Sequence, residues 1–148
     1  LIKYAREAVT QELCDEIYPL LRKHYEEISH YKDIPLTPDF ERYMTMDQNG
    51  SLRLFTARSD KLLIGYMIYF VMQNIHYRTS KQAALDIIFI DPAYRGNGAK
   101  FIFWGDNQLK EEDVQVVYHH LKKAHDYSPM LTRMGYELVD LLYARRLK

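Results

Sequence analysis

The chain has 148 residues, with 20 Lys and Arg against 20 Asp and Glu and a formal net charge of zero. A domain typically takes ~100–200 residues, so one domain spanning 1–148 is expected, large enough to bury a core without staples. Zero net charge argues against holding nucleic acid or an anionic membrane by bulk charge. A hydrophobic fraction of 47% argues against disorder. The single Cys14 excludes an internal disulfide and a Cys-based zinc site. The longest apolar run, Leu62 to Met72, is too short to span a bilayer as a helix. No basic-then-apolar signal opens the chain, so cytoplasm is the expected location.

In chain order, Ile2 to Tyr4 reads as a short strand. Leu13, Ile17, Leu20 and Leu21 then recur at helical spacing, with Thr10 as N-cap and Glu12 in the first turn. Pro19 interrupts this helix and predicts a kink or a split into two. His30 to Pro38 is a connection, and Asp39 to Met46 a short second helix. Asn49-Gly50-Ser51 is a turn signal. Leu52 to Ala57 alternates as a strand does, and Ser59-Asp60-Lys61 is a hairpin-length break. Leu62 to Met72 has the composition of a strand buried on both faces. Gln73 to Gln82 reads as a hairpin arm or loop.

Ala83 to Ile90 is a further apolar strand holding one carboxylate, Asp86. Asp91-Pro92 ends it. A helix over Ala99 to Glu112 follows, then a strand over Val114 to Tyr118. A short helix over Tyr127 to Met134 has Asp126 as its cap and Gly135 as its C′ residue. Tyr136 to Tyr143 is expected to be a final strand. The element order predicts an α/β or α+β domain with a mixed sheet.

The segment Ile90-Asp91-Pro92-Ala93-Tyr94-Arg95-Gly96-Asn97-Gly98-Ala99-Lys100 concentrates the chemistry. It joins a buried strand to a helix start through a glycine-rich turn. Glycine permits positive φ and close approach of a ligand. Free N–H groups at the helix start favour an anion such as a pyrophosphate. The Walker pattern is absent, and Phe101 stands where the dinucleotide fingerprint needs a third small residue.

This segment resembles the pyrophosphate loop of the GCN5-related N-acetyltransferase superfamily, Arg/Gln-x-x-Gly-x-Gly/Ala. Arg95 to Ala99 fits, and Lys100 departs at the last position, where a small residue is usual. Met134-Gly135-Tyr136-Glu137 resembles the Leu-Gly-Phe/Tyr that ends the family's fourth helix. The wording from Phe89 through Val116-Val117-Tyr118-His119-His120 to Ala144-Arg145-Arg146 is similar to acetyltransferases encoded by tailed phages. That origin would place the protein in the host cytoplasm.

The resemblance implies a mixed, mainly antiparallel central sheet flanked by helices and splayed between its fourth and fifth strands. It implies acetyl-CoA as cofactor. Backbone groups of Ile88, Phe89 and Ile90 would hold the pantetheine, and Arg95, Gly96, Asn97, Gly98, Ala99 and Lys100 the pyrophosphate. The implied reaction is direct acetyl transfer to an amine on a small molecule or protein. A lysine-like amine has a pKa of ~10.4, so a base is needed to free it. Asp86 leads, because related enzymes often carry Glu at this point of the strand. The alternative is that Asp86 faces solvent or pairs with Arg78 or Arg53.

His119 and His120 follow the fifth strand. Adjacent strand residues face opposite sides, so one enters the site, with His120 favoured. The family's usual acid, a tyrosine four residues before the glycine, is replaced here by Leu131. Tyr127, one turn earlier on the same face, is the substitute, and solvent protonation of the thiolate is the alternative. Tyr25, Tyr31 and Tyr43 are candidates for an acceptor pocket. His119, His120 and His125 lack a completing carboxylate or Cys pattern, so no metal is expected. Rival readings are a CoA-fold module that binds a host or partner protein without catalysis, and a nucleic-acid-directed acyltransferase. The oligomeric state is open, a homodimer being one option.

Overall fold

The structure is a computed structural model describing residues 1–148. Strand β1 (Ile2–Arg6) leads to helices α1 (Gln11–Ile28) and α2 (Phe40–Gln48). Strands β2 (Leu52–Ser59), β3 (Leu62–Gln73) and β4 (Lys81–Ile90) follow. A 3₁₀ turn at Pro92–Asn97 runs into α3 (Gly98–Glu111). Strand β5 (Val116–His119), a 3₁₀ turn at Lys123–His125 and α4 (Ser128–Arg133) complete the elements. The sheet order is β1-β2-β3-β4-β5, with the first three pairings antiparallel and β4–β5 parallel.

Helices cover both faces of the sheet. Leu13, Cys14, Ile17 and Leu21 of α1 pack with Leu52, Leu54, Tyr66, Ile68 and Phe89. Phe101, Ile102 and Leu109 of α3 and Leu131 of α4 pack on the other face with Phe55, Met67, Tyr69, Leu85 and Ile90. This two-sided covering explains why β3 reads as a continuous apolar run and why residues 52–57 of β2 are all buried. Thr10 caps α1 by accepting from the Leu13 amide at 3.1 Å.

Several expectations need correction. Helix α1 is one helix through Pro19, not two. Burial of its Leu13–Leu21 stripe outweighs the one backbone hydrogen bond that proline removes. The Gln73–Gln82 loop is shorter, because β3 reaches Gln73 and β4 begins at Lys81. The turn at Pro92–Asn97 is helical of the 3₁₀ type, with the Asp91 carboxylate accepting from the Ala93 amide at 3.0 Å. The strand expected at Tyr136 to Tyr143 does not form. Gly135 adopts φ +94 as the C′ residue of α4, and beyond Tyr136 the chain makes no backbone–backbone hydrogen bond.

Two irregularities of β4 build the site. Opposite β3, Ile68 pairs with Ile87 and Tyr69 with Leu85, so Asp86 is the extra residue of a β-bulge. A bulge bends its strand and re-aims a side chain. On its other edge β4 pairs with β5 only from Gln82↔Val116 to Leu85↔His119. Beyond Leu85 the two strands part, and Asp86 to Ile90 have no partner on that side. The bulge therefore sits where the sheet splits.

Candidate active site

The split is lined by Leu85, Asp86, Ile87 and Ile88 of β4, by His120, Lys122, His125 and Tyr127 from beyond β5, and by His24 and Ile28 of α1. Asp86 of β4 thus shares one cleft with His120 and Tyr127 from beyond β5. Its enclosed volume of about 40 Å³ makes it an open groove rather than a chamber.

Asp86 makes no salt bridge. Arg53 is committed to Glu112 at 2.7 Å instead. The Asp86 residue is solvent-accessible, yet protein crowds its carboxyl. Desolvation holds its pKa above the ordinary carboxylate value, with Lys122 pulling weakly the other way. A carboxylate in that condition is a better proton acceptor than one on an open surface.

The two adjacent histidines diverge as strand geometry requires. His120 is exposed at the cleft. His119 points into the α3/α4 layer, where Nε2 lies 3.5 Å from the Tyr69 hydroxyl and 3.4 Å from that of Tyr136. Its Nδ1 is 3.4 Å from the Tyr127 hydroxyl. Tyr136 in turn donates to the Asp106 carboxylate at 2.8 Å. Burial lowers the His119 pKa to about 4, so it is neutral at pH 7. Burial raises the Tyr127 hydroxyl above its ordinary value, so it keeps its proton. Tyr127 precedes α4 as its N-cap, and Leu131 is buried in the core.

The glycines of the loop are informative because the fold does not need them. A Cβ at Gly65 would meet the Phe89 carbonyl oxygen at 2.7 Å, a structural reason for glycine. A Cβ at Gly96 would meet nothing within 4 Å. At Gly98 it would meet only Ile90 Cδ1 at 3.9 Å and Met130 Cε at 4.0 Å, ordinary contacts. Neither residue has positive φ, so the freedom glycine permits is not used in the turn. Glycine at both positions leaves the loop open to close approach by a ligand.

The 3₁₀ turn runs straight into α3, so the Gly98 amide, first of the helix, already donates to the Arg95 carbonyl. Asn97, its N-cap, supplies no side-chain cap and donates instead to the Tyr94 carbonyl at 2.8 Å. The open glycines give an anion access to the positive end of the α3 helix. The residues present therefore fit the phosphates of a CoA molecule. Lys100 is exposed and makes no ion pair with a carboxylate. Ile88 lines the cleft, whereas the side chains of Phe89 and Ile90 face opposite cores, leaving their backbone for the cleft side.

Three features escaped the sequence. Arg95 is held by Glu27 through two hydrogen bonds of 2.6 and 2.7 Å, and its Nε donates to the Ile90 carbonyl at 3.1 Å. Lys23 similarly reaches Asp91 at 3.2 Å. Helix α1 is thereby clasped to the loop, and the Arg95 guanidinium braces the loop from behind. His24 is buried against the Phe89 ring at 5.1 Å with an unpartnered Nδ1, and burial lowers its pKa to about 4. No local signal marks either partner of the clasp, because Glu27 and Arg95 are 68 residues apart. Of the three candidate acceptor tyrosines, Tyr43 lines a separate apolar cavity of about 450 Å³ between α2 and β3. The Tyr25 hydroxyl is used by the Ile34 and Lys32 carbonyls. Tyr31 lies under Arg146, 5.8 Å from ring centroid to guanidinium carbon.

No protein-family model and no curated protein matches the chain. Solved structures do. An aminoglycoside acetyltransferase from an uncultured soil metagenomic sample, in complex with sisomicin, matches with TM-score 0.76 at 18% identity, covering 99% of this chain and 97% of that one. A predicted acetyltransferase with acetyl-CoA from Clostridium acetobutylicum matches with TM-score 0.71 at 15% identity over 99% and 97%. Glucosamine-6-phosphate N-acetyltransferase from Arabidopsis thaliana matches with TM-score 0.74 at 10% identity over 100% and 99%. The chain shares the fold of these acetyltransferases. No helix is long and apolar enough to cross a membrane.

Proposed function

We propose that the protein is one acyl-CoA-binding domain that transfers an acetyl group directly from acetyl-CoA to a primary amine. The observation that carries this reading is the pair Gly96 and Gly98, open to a ligand and required by neither φ nor packing, beside a split sheet. Bound acetyl-CoA supplies the activated thioester. The unpaired backbone of Ile88 to Ile90 lines up the pantetheine as an added strand would. A backbone N–H there would stabilise the negative charge that grows on the thioester oxygen. The Asp86 carboxylate takes the proton from the incoming ammonium, directly or through His120. The Tyr127 hydroxyl, with His119 Nδ1 at 3.4 Å behind it, offers its proton to the leaving sulfur.

The acceptor enters from the α1/α2 side, past His24 and Ile28, and is an amine on a small molecule or protein. The wording of the C-terminal half supports kinship with phage-encoded acetyltransferases. A panel of amines assayed for release of free CoA thiol tests the reading. Amine-dependent release that is lost in Asp86→Asn is expected. A second reading, a CoA-binding module without turnover, is favoured by Leu131, which leaves the usual acid position apolar. Binding of acetyl-CoA with no thiol release on any amine would select it.

A further inference from the structure

The cleft holds two opposite charges that nothing answers. Asp86 and Lys122 both line it. Neither makes a salt bridge, with the other or with any third group. The charges of α1 nearby are spent, Glu27 on Arg95 at 2.6 Å and Lys23 on Asp91 at 3.2 Å. Burial raises the Asp86 pKa, and Lys122 pulls it back. Burial lowers the His24 pKa, Glu27 opposes this, and His125, Arg95 and Lys122 add to it. Lys122 therefore lies within electrostatic reach of both residues.

His24 supplies a second, independent sign. It lines the same cleft, is 4% exposed, and its Nδ1 has no hydrogen-bond partner. A buried polar atom is costly to leave unmet, so one in a folded chain points to a partner that arrives. The cleft encloses about 40 Å³, far below the roughly 300 Å³ or more of a pocket that engulfs its ligand. Shape grips little of the acceptor there, and charge must select it.

We propose that the acceptor is a small zwitterion, an amine that carries its own carboxylate. Its ammonium goes to Asp86 and its carboxylate to Lys122, with the neutral His24 donating from Nδ1. This rests on the acyl-transfer reading of the cleft. A diamine would set its second cation against Lys122, and a plain amine would leave Lys122 unanswered. In the reaction the nitrogen bonds to the acetyl carbon as the C–S bond breaks. Of the two protons the ammonium loses, Asp86 takes one and passes it to solvent. The other offsets the proton that sulfur gains from Tyr127. The product keeps its carboxylate, but its nitrogen is a neutral amide, so its hold on Asp86 is lost.

The test is thiol release from acetyl-CoA with glycine, β-alanine, 4-aminobutyrate and the common α-amino acids. Each is paired with the amine that lacks its carboxylate and with the diamine that replaces it. The wild type is expected to favour an amino acid over its plain amine and its diamine. Lys122→Met should raise KM for that amino acid about tenfold, the order expected for one charge-assisted hydrogen bond, with acetyl-CoA affinity held. Lys122→Glu should turn the preference toward the diamine. Lys122 is exposed, so both variants keep the fold, which their melting temperatures check. Faster release with plain amines or diamines overturns the proposal while acyl transfer stands. So does a preference that both variants leave unchanged. A loss of acetyl-CoA affinity in Lys122→Met overturns it too, because Lys122 then serves the cofactor. Binding of acetyl-CoA with no release on any amine overturns the acyl-transfer reading, and the proposal with it.

Discussion

Replacing Gly98 by Leu separates the ligand site from the fold. Gly98 is the first residue of α3 and has ordinary helical angles, φ −58 and ψ −47. An added Cβ meets Ile90 Cδ1 at 3.9 Å and Met130 Cε at 4.0 Å, so it gains apolar contact without a clash. Removing glycine from a helical position it does not need stabilises by roughly 0.4–1 kcal/mol, mainly by restricting the unfolded chain. For a chain of this size that is a rise in Tm of about 1–4 °C. The same side chain fills the approach to the α3 amides, where the phosphates would lie. Gly98→Leu is therefore expected to melt at or above the wild type and to lose the stabilisation by acetyl-CoA. Gly98→Ala, one atom larger than glycine, is expected to show the gain in Tm with a smaller loss of binding. Differential scanning calorimetry with and without acetyl-CoA reads both effects. A Gly98→Leu protein that binds acetyl-CoA as tightly as the wild type refutes the placement of the phosphates. One that unfolds shows that the glycine is structural after all.

Asp86→Asn should abolish turnover with little change in acetyl-CoA affinity, and it should raise Tm at neutral pH. A carboxyl whose pKa is raised in the fold loses stability as pH climbs from the unfolded to the folded pKa, so removing its charge removes that penalty. His24 and His119, both lowered to about 4 from 6.5, act in the opposite sense. The unfolded chain binds their protons first, so stability should fall by on the order of a few kcal/mol as pH drops from 6.5 to 4. Urea titrations at stepped pH check this, and His24→Leu should flatten the slope in that window. Glu112→Ala should cost about 3–5 kcal/mol, because it strands the buried guanidinium of Arg53. Glu27→Gln, at a pair one-third exposed, should cost less than about 1 kcal/mol in the same urea assay.

The elements that form sheet and helix were legible because their signals are local. The Thr10 cap, the Leu13–Leu21 stripe, the Gly135 stop and the apolar run of β3 each act within a few residues. The cleft was legible in part. Asp86 stood out as one carboxylate in an apolar strand, and the bulge that aims it depends on register against β3, which no local signal sets. His24 was hidden because a lone histidine on a helix's apolar face looks like core, and only the folded neighbours show its unpartnered nitrogen. The expected last strand failed for a reason of the same kind. Its composition is right, but a strand exists only where it pairs, and these residues make no backbone hydrogen bond to the open edge of β5 or to any other strand.

The most direct test is the melting temperature of the wild type with acetyl-CoA, with ATP and NAD as controls. A site filled at a hundred times its dissociation constant adds about 2.7 kcal/mol, a rise of several degrees for this chain length. A rise with acetyl-CoA and none with ATP or NAD is the predicted result. No rise at saturating acetyl-CoA, or an equal rise with all three, would contradict the assignment of the split sheet and its glycine loop to acetyl-CoA.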